Sequence, residues 1–222
     1  MAGNVSGFVD ARRYPSCFQA TIARINQATQ ALSPPLVPGR ECGECSACCV
    51  NLLIDSEDLQ KPANIECPNL TPAKGCAIYR SRPSACQSFH CGWRMLEGLG
   101  DEWRPDRSKV MMRVEQDGII LEGLGSMRPI LAKAVLKFIG TCIDNGVTIF
   151  INIPGEPGHT SAKLELNQAL VAATTGRQRG VVMRELIKAG EIGFPTAPLA
   201  PMTYPLKRVV VRSGRQLGTK KR

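Results

Sequence analysis

Apolar and polar positions alternate in different rhythms along this chain, and the rhythm changes at two places. Phe18, Ile22, Ile25 and Leu32 recur at helical spacing, which predicts an amphipathic helix over about 16–31, ending before Pro34 and Pro35. From Pro34 to Gly39 the chain reads as a stiff connector. Periodicity then fades. Val50 to Ile54 is a short apolar run, Asp55 to Asp58 predicts a helical turn stopping near Pro62, and the stretch from Gly75 to Cys86 reads as a short strand and turn.

Ordinary patterning returns after Trp93 and Trp103. Val110 to Val114 and Ile119 to Leu121 flank Asp117-Gly118, the strongest short hairpin signal in the chain. A helix is expected from Ser126, with Pro129 in its first turn and Ile130, Leu131, Ala134, Val135, Phe138, Ile139, Cys142 and Ile143 as its apolar face. Asn145-Gly146 should cap it, and Val147 to Ile153 should be a strand that joins the hairpin. Two more helices are predicted near 161–173 and 180–189. A small sheet covered by helices follows from this order.

Composition adds limits. A chain of 222 residues with 43% hydrophobic content can build a core without disulfides. Its first residues have neither a basic nor an apolar signal region, and nowhere do eighteen apolar residues run together, so a soluble cytoplasmic protein without a membrane span is expected. The net charge of +9 is concentrated: Lys207, Arg208, Arg212, Arg215, Lys220, Lys221 and Arg222 follow the last acid, Glu191, and without them the body carries +2. This basic tail follows a proline-rich linker running from Pro195 to Pro205. It reads as a solvated end, or as a weak, salt-sensitive anchor for an acidic or nucleic-acid partner that lacks the aromatics needed to read bases.

The candidate chemistry lies between the two rhythms. Eight of the ten cysteines, Cys42, Cys45, Cys48, Cys49, Cys67, Cys76, Cys86 and Cys91, fall within about fifty residues. The first four form C-x2-C-x2-C-C, with small Gly43, Ser46 and Ala47 leaving room for amide-to-sulfur hydrogen bonds. In a reducing compartment such density points to a metal site rather than disulfides. The eight thiols suit two tetrahedral zinc sites, or one cluster with the remaining thiols structural or redox-active. C-x2-C-x2-C with a remote Cys-Pro, here Cys67-Pro68, is how ferredoxin loops hold a four-iron cubane, although the remote cysteine stands much farther away here. Spacing therefore ranks an iron–sulfur cluster ahead of zinc.

Arg80, Arg82, Arg94 and Lys74 are candidates to offset thiolate charge, and His90 to support a ligand from behind. His159 reads as a surface residue, Cys17 as incidental and Cys142 as core. No phosphate loop, H-E-x-x-H, G-x-S-x-G or C-x3-C-x2-C occurs, and Gly98-Leu99-Gly100 and Gly123-Leu124-Gly125 read as turns. No catalytic constellation is visible.

The expected fold class is α+β, an irregular cysteine-rich metal-binding region packed with a small β-sheet and covering helices. Its parts are 1–40, an N-terminal helix and connector; 41–108, the cysteine region; 109–192, the small α+β domain; and 193–222, the linker and tail. Order in the cysteine region should depend on ligation.

These residues resemble a family. The C-x2-C-x2-C-C run, Lys61-Pro62-Ala63, Cys67, Gly75-Cys76-Ala77-Ile78-Tyr79, Arg82-Pro83, Cys86, Phe89-His90-Cys91-Gly92-Trp93 and Trp103-Arg104-Pro105-Asp106-Arg107 are similar to the bacterial CxxCxxCC cysteine-cluster proteins, described as a zinc- or iron-chelating domain. The resemblance covers about a third of the chain, from Cys42 to about Lys109. Gln87 departs from it, since the family has an arginine after that cysteine. A flagellin lysine methylase shares the cysteine pattern, and the resemblance extends its four-iron cluster to this chain as an expectation, without a separate methyl-donor motif. The resemblance implies a metal-chelating protein whose eight cysteines hold an iron–sulfur cluster or zinc. The alternatives are a cluster-dependent transferase or redox enzyme, and a nucleic-acid-associated protein working through its tail.

Overall fold

The structure is a computed structural model and describes residues 35–153 and 161–193. The expected first helix, Cys17, His159, the proline-rich linker and the basic tail lie outside the described residues. The architecture is α+β. Two sheets occur among the described residues, one of two strands and one of four.

The hairpin expected around Asp117-Gly118 forms from β3 (Val110–Glu115) and β4 (Gly118–Gly123), paired antiparallel with Glu115 opposite Gly118. The turn residues are therefore Gln116 and Asp117, and Gly118 opens the returning strand. Gly118 has φ +144, and a Cβ there would stand 2.2 Å from the Thr148 carbonyl oxygen. Only glycine lets the next segment approach this closely. That segment becomes β5 (Ile149–Ile153), which runs parallel to β4, with Ile119 opposite Ile149 and Glu122 opposite Asn152.

The connection between β4 and β5 is the predicted helix, with a break. A 3-10 turn at Arg128–Leu131 gives way at Ala132, which is extended (φ −61, ψ 141), and helix α5 spans Lys133–Asp144. The break shifts the register: Ile130 and Val135 are both buried, whereas Ala134, placed on the apolar face by sequence, is exposed. Asn145 and Gly146 (φ +72) end the helix as expected, with the Asn145 side chain donating to the Thr141 carbonyl at 2.7 Å.

The helix expected over 161–173 is instead strand β6 (Ala162–Glu165) followed by one short helix, α6 (Asn167–Leu170). Ala162, Lys163, Leu164 and Glu165 alternate inward and outward, a period of two that suits an edge strand. Lys163 holds that edge, donating to Asp117 at 2.6 Å and lying 4.2 Å from the Phe150 ring centroid. Asn167 stitches it to β5, accepting from Ile149 N and donating to Val147 O. The last described helix, α7 (Gly176–Gly193), starts earlier than predicted because Thr175 and Gln178 form a capping box. Gln178 N donates to Thr175 Oγ1 at 3.2 Å, and Gln178 Oε1 accepts from Thr175 N at 3.0 Å.

Sheet order is β3-β4-β5-β6. One face carries Val110, Met112, Ile119, Leu121, Ile149, Ile151 and Ile153 into a core shared with Phe138, Ile139 and Cys142 of α5 and Met183 and Ile187 of α7. Cys142 is fully buried there, in keeping with its assignment to the core. Among the described residues, no helix is long and apolar enough to cross a membrane.

The cysteine region is built from short elements. These are α1 (Ala47–Asn51), the hairpin of β1 (Ile54–Ser56) and β2 (Leu59–Lys61), a 3-10 turn at Tyr79–Ser81, α2 (Ser84–Ser88), α3 (Gly92–Met95) and α4 (Pro105–Ser108). The hairpin replaces the helical turn expected at Asp55 to Asp58: Ser56 Oγ bonds both Asp58 and the Leu59 carbonyl, which closes a reverse turn. Nor is Gly75 to Cys86 a strand. Only Cys76 pairs, in a single bridge to Leu70, before Pro83 starts α2.

Candidate metal centre

All eight cysteines proposed as ligands line one cavity of about 220 Å³. The cavity is otherwise apolar for the most part, with Leu52, Ile54, Leu59, Ile78 and Phe89 in its wall and Met111 reaching it from β3. Cys67 is buried, the other seven are half-buried, and all nine described cysteines are free thiols. Among the described residues, no group of three or more His, Cys, Asp or Glu side chains is gathered tightly enough to hold a metal ion as the chain stands. The sulfurs thus share a cavity without closing on a point.

The backbone around these sulfurs is arranged to receive negative charge. Cys45 Sγ accepts from the amides of Ala47 and Asp106, Cys76 Sγ from Ile78, and Cys91 Sγ from Arg94 and Trp93. Amide donation two or three residues after a cysteine stabilises a thiolate ligand and fixes its direction. Cys91 sits just before the first residue of α3, which supplies both of its donors.

Electrostatic neighbours separate the thiols. Burial, with Cys42 and Cys45 adding to the rise, pushes Cys91 up to about 11 against the lowering effect of the Arg94 and Trp93 amides. Burial likewise pushes Cys86 up to about 11, with Cys49, Cys67 and Cys76 adding to the rise and Arg82 opposing it. Burial raises Cys76, whose neighbours are Cys49 and Cys67, and raises Cys45, whose neighbours are Asp106 and Cys42. Cys48 and Cys49 meet directly. The Cys48 thiol donates to Cys49, which holds Cys48 up and Cys49 down, and Lys61 and Arg82 lower Cys49 further.

Lys61 is the residue that sequence reasoning missed as a countercharge. It ends β2 with its side chain 1% exposed, and its Nζ donates to the carbonyls of Val50, Pro62 and Ile65 at 3.0, 2.9 and 2.8 Å. Burial lowers its affinity for a proton, and the neighbouring Cys67, Cys49, Cys48 and Cys86 act in the opposite direction. Its period-two place at the end of a short strand was the available signal. Of the four cations singled out by sequence, Arg82 faces the thiols from above the Tyr79 ring, 4.5 Å from its centroid. Lys74 instead makes an exposed 3.7 Å pair with Glu66, and Arg80 is exposed.

Arg94 braces the site from behind. Its Nη1 donates to His90 Nδ1 at 3.2 Å and its Nε to the Arg40 carbonyl at 3.1 Å. Burial and the charges of Arg94 and Arg82 lower the His90 pKa, so the ring is neutral with its proton on Nε2. Arg40 completes the brace, donating to the carbonyls of Trp93, Leu96, Glu97 and Leu99 and ordering the chain just after α3.

The donor set fits a soft metal: eight thiols, amide donors aimed at sulfur, and nearby cations. Cys42, Cys45, Cys48, Cys49, Cys67, Cys76, Cys86 and Cys91 would hold it, and the metal would supply the cross-link that these short elements lack. Comparison with known proteins yields no matching family model, no matching curated protein and no matching solved structure.

Proposed function

We propose that this chain is a metal-chelating protein that binds an iron–sulfur cluster or zinc through the eight cysteines from Cys42 to Cys91. One observation carries the reading: eight free thiols from several separate short elements line a single cavity, with amide donors already directed at three of them. Thiols serving only as core residues would be expected to resemble Cys142, which is sealed among apolar side chains. A reducing compartment, the cytoplasm, suits the unpaired thiols.

The test is metal and acid-labile sulfide analysis, with an absorption spectrum, on chain purified without oxygen. Iron with sulfide, and thiolate-to-iron absorption near about 400 nm, is the expected result for a cluster. Zinc without iron is the expected result for a structural centre. Chain that holds neither metal, and takes up neither on reconstitution, refutes the proposal.

A further inference from the structure

We infer that the eight thiols form two separate four-sulfur sites, each holding one metal centre: Cys42, Cys45, Cys48 and Cys91 on one side, Cys49, Cys67, Cys76 and Cys86 on the other. This rests on the chelation reading above and states how that cavity is shared.

The backbone draws the division. In the first group, Cys45 N donates to Cys42 O at 2.8 Å, closing the loop that carries both thiols. Cys91 is brought to that loop by α3, since Val37 N donates to Arg94 O at 2.8 Å and Arg94 Nε donates to Arg40 O at 3.1 Å. In the second group, Cys67 N donates to Cys49 O at 2.9 Å, and Cys76 reaches Cys67 through the Leu70 bridge, Leu70 N donating to Cys67 O at 3.0 Å. Cys86 arrives on α2, whose first amide, Ser84 N, donates to Asp58 Oδ2 at 2.7 Å and so ties the helix to the hairpin bearing Lys61. The boundary falls between Cys48 and Cys49. These are consecutive residues of helix α1 whose thiols meet in the metal-free chain, Cys48 donating to Cys49, so ligation by separate centres would break that contact.

The charge around each group differs in the same way. Lys61 and Arg82 act on Cys49, whereas Cys45 faces Asp106, whose carboxylate is paired with Arg104 at 2.7 Å, and Arg104 also acts on Cys45. Four thiolates on a divalent ion carry net charge −2, so each group has its own countercharge, Lys61 with Arg82 beside the second and the Arg104–Asp106 pair beside the first.

The experiment uses the full chain, stripped of metal without oxygen and reconstituted with zinc(II) alone. The wild-type chain, Cys45→Ser/Cys91→Ser and Cys67→Ser/Cys76→Ser are compared for tightly bound zinc after gel filtration. The division predicts two zinc ions in the wild type and one in each double variant. One zinc in the wild type, or loss of all zinc in either folded double variant, overturns the division and leaves chelation standing. No zinc in the wild type, with no iron and sulfide uptake in a parallel reconstitution, refutes chelation itself. If a double variant does not fold, the wild-type count alone decides between two centres and one.

Discussion

Replacing Lys61 with methionine tests the energetic account of the cysteine region most directly. Methionine keeps most of the apolar stem and deletes the ammonium. Three hydrogen bonds of 2.8 to 3.0 Å to backbone carbonyls disappear. Each charge-assisted bond contributes about 1.5–3 kcal/mol net, whereas leaving the ammonium in water returns several kcal/mol of desolvation cost. The difference is a destabilisation of roughly 2–4 kcal/mol, which in a chain of this size lowers the thermal midpoint by about 5–15 °C. Loss of a unit positive charge beside Cys49 and Cys67 should also weaken zinc binding roughly tenfold to a hundredfold. Thermal unfolding of the zinc-loaded chain and competition with a chromogenic chelator read the two effects. Lys74→Met is the control, because its pair with Glu66 is exposed and should shift stability by no more than about 0.5 kcal/mol. Lys61→Met behaving like Lys74→Met in both assays would refute the reasoning.

Four other outcomes follow from the same structure. In metal-free chain near pH 7, iodoacetamide should label Cys49 first: its thiol is held down to about 7 by Cys48, Lys61 and Arg82, while Cys86 and Cys91 stand at about 11, and peptide mapping of a brief reaction gives the order. Because the folded values of Cys86 and Cys91 exceed the ordinary 9.0, their contribution to metal-free stability is full below pH 9 and is lost as pH rises towards 11; urea unfolding at pH 8 and 10.5 should show the fall. Cys142→Ser should cost about 1–3 kcal/mol by burying an unpartnered hydroxyl yet leave metal content unchanged, which unfolding and metal analysis would separate. Gly118→Ala should cost about 3 kcal/mol or more, since its methyl group meets the Thr148 carbonyl oxygen rather than a side chain that can move, and a denaturant titration would measure it.

What the sequence revealed depended on how far each signal could be read locally. The 110–123 hairpin, the capped helix ending at Asn145-Gly146 and the strand after it were legible because each carries its own periodicity and its own turn residues. The break at Ala132 was not, since no local residue demands it and the burial of both Ile130 and Val135 decides it. β6 was misread because Ala162 to Leu170 also fits a helical period, and only the edge of β5 selects the strand. That the eight cysteines would lie together was legible from their spacing, and they do line one cavity. The countercharge was not, because proximity in sequence favoured Lys74 and Arg80, whereas folding buries Lys61, leaves Arg80 exposed and pairs Lys74 with Glu66 at the exposed edge of the cavity.

In the proposed division the two groups of sulfurs are held by different means, with a buried lysine beside the second. Cys91 precedes α3, whose Trp93 and Met95 are buried and whose continuation, Leu96 and Leu99, enters the sheet core; Cys45 receives an amide from Asp106 in α4, just before β3. The first group therefore leans on structure whose stability comes from the sheet and its helices. The loop that carries Cys67 and Cys76 has no such support, and Ile65 and Tyr79 on either side are exposed. There the Lys61 ammonium gathers three carbonyls of the turns around it, joining 50, 62 and 65 through one atom. A hydrophobic side chain could fill that space but could not satisfy three inward-facing carbonyls, nor face thiolates without penalty. Lys61 thus couples the local fold of the second group to the charge its sulfurs would carry, so that folding and ligation there reinforce each other.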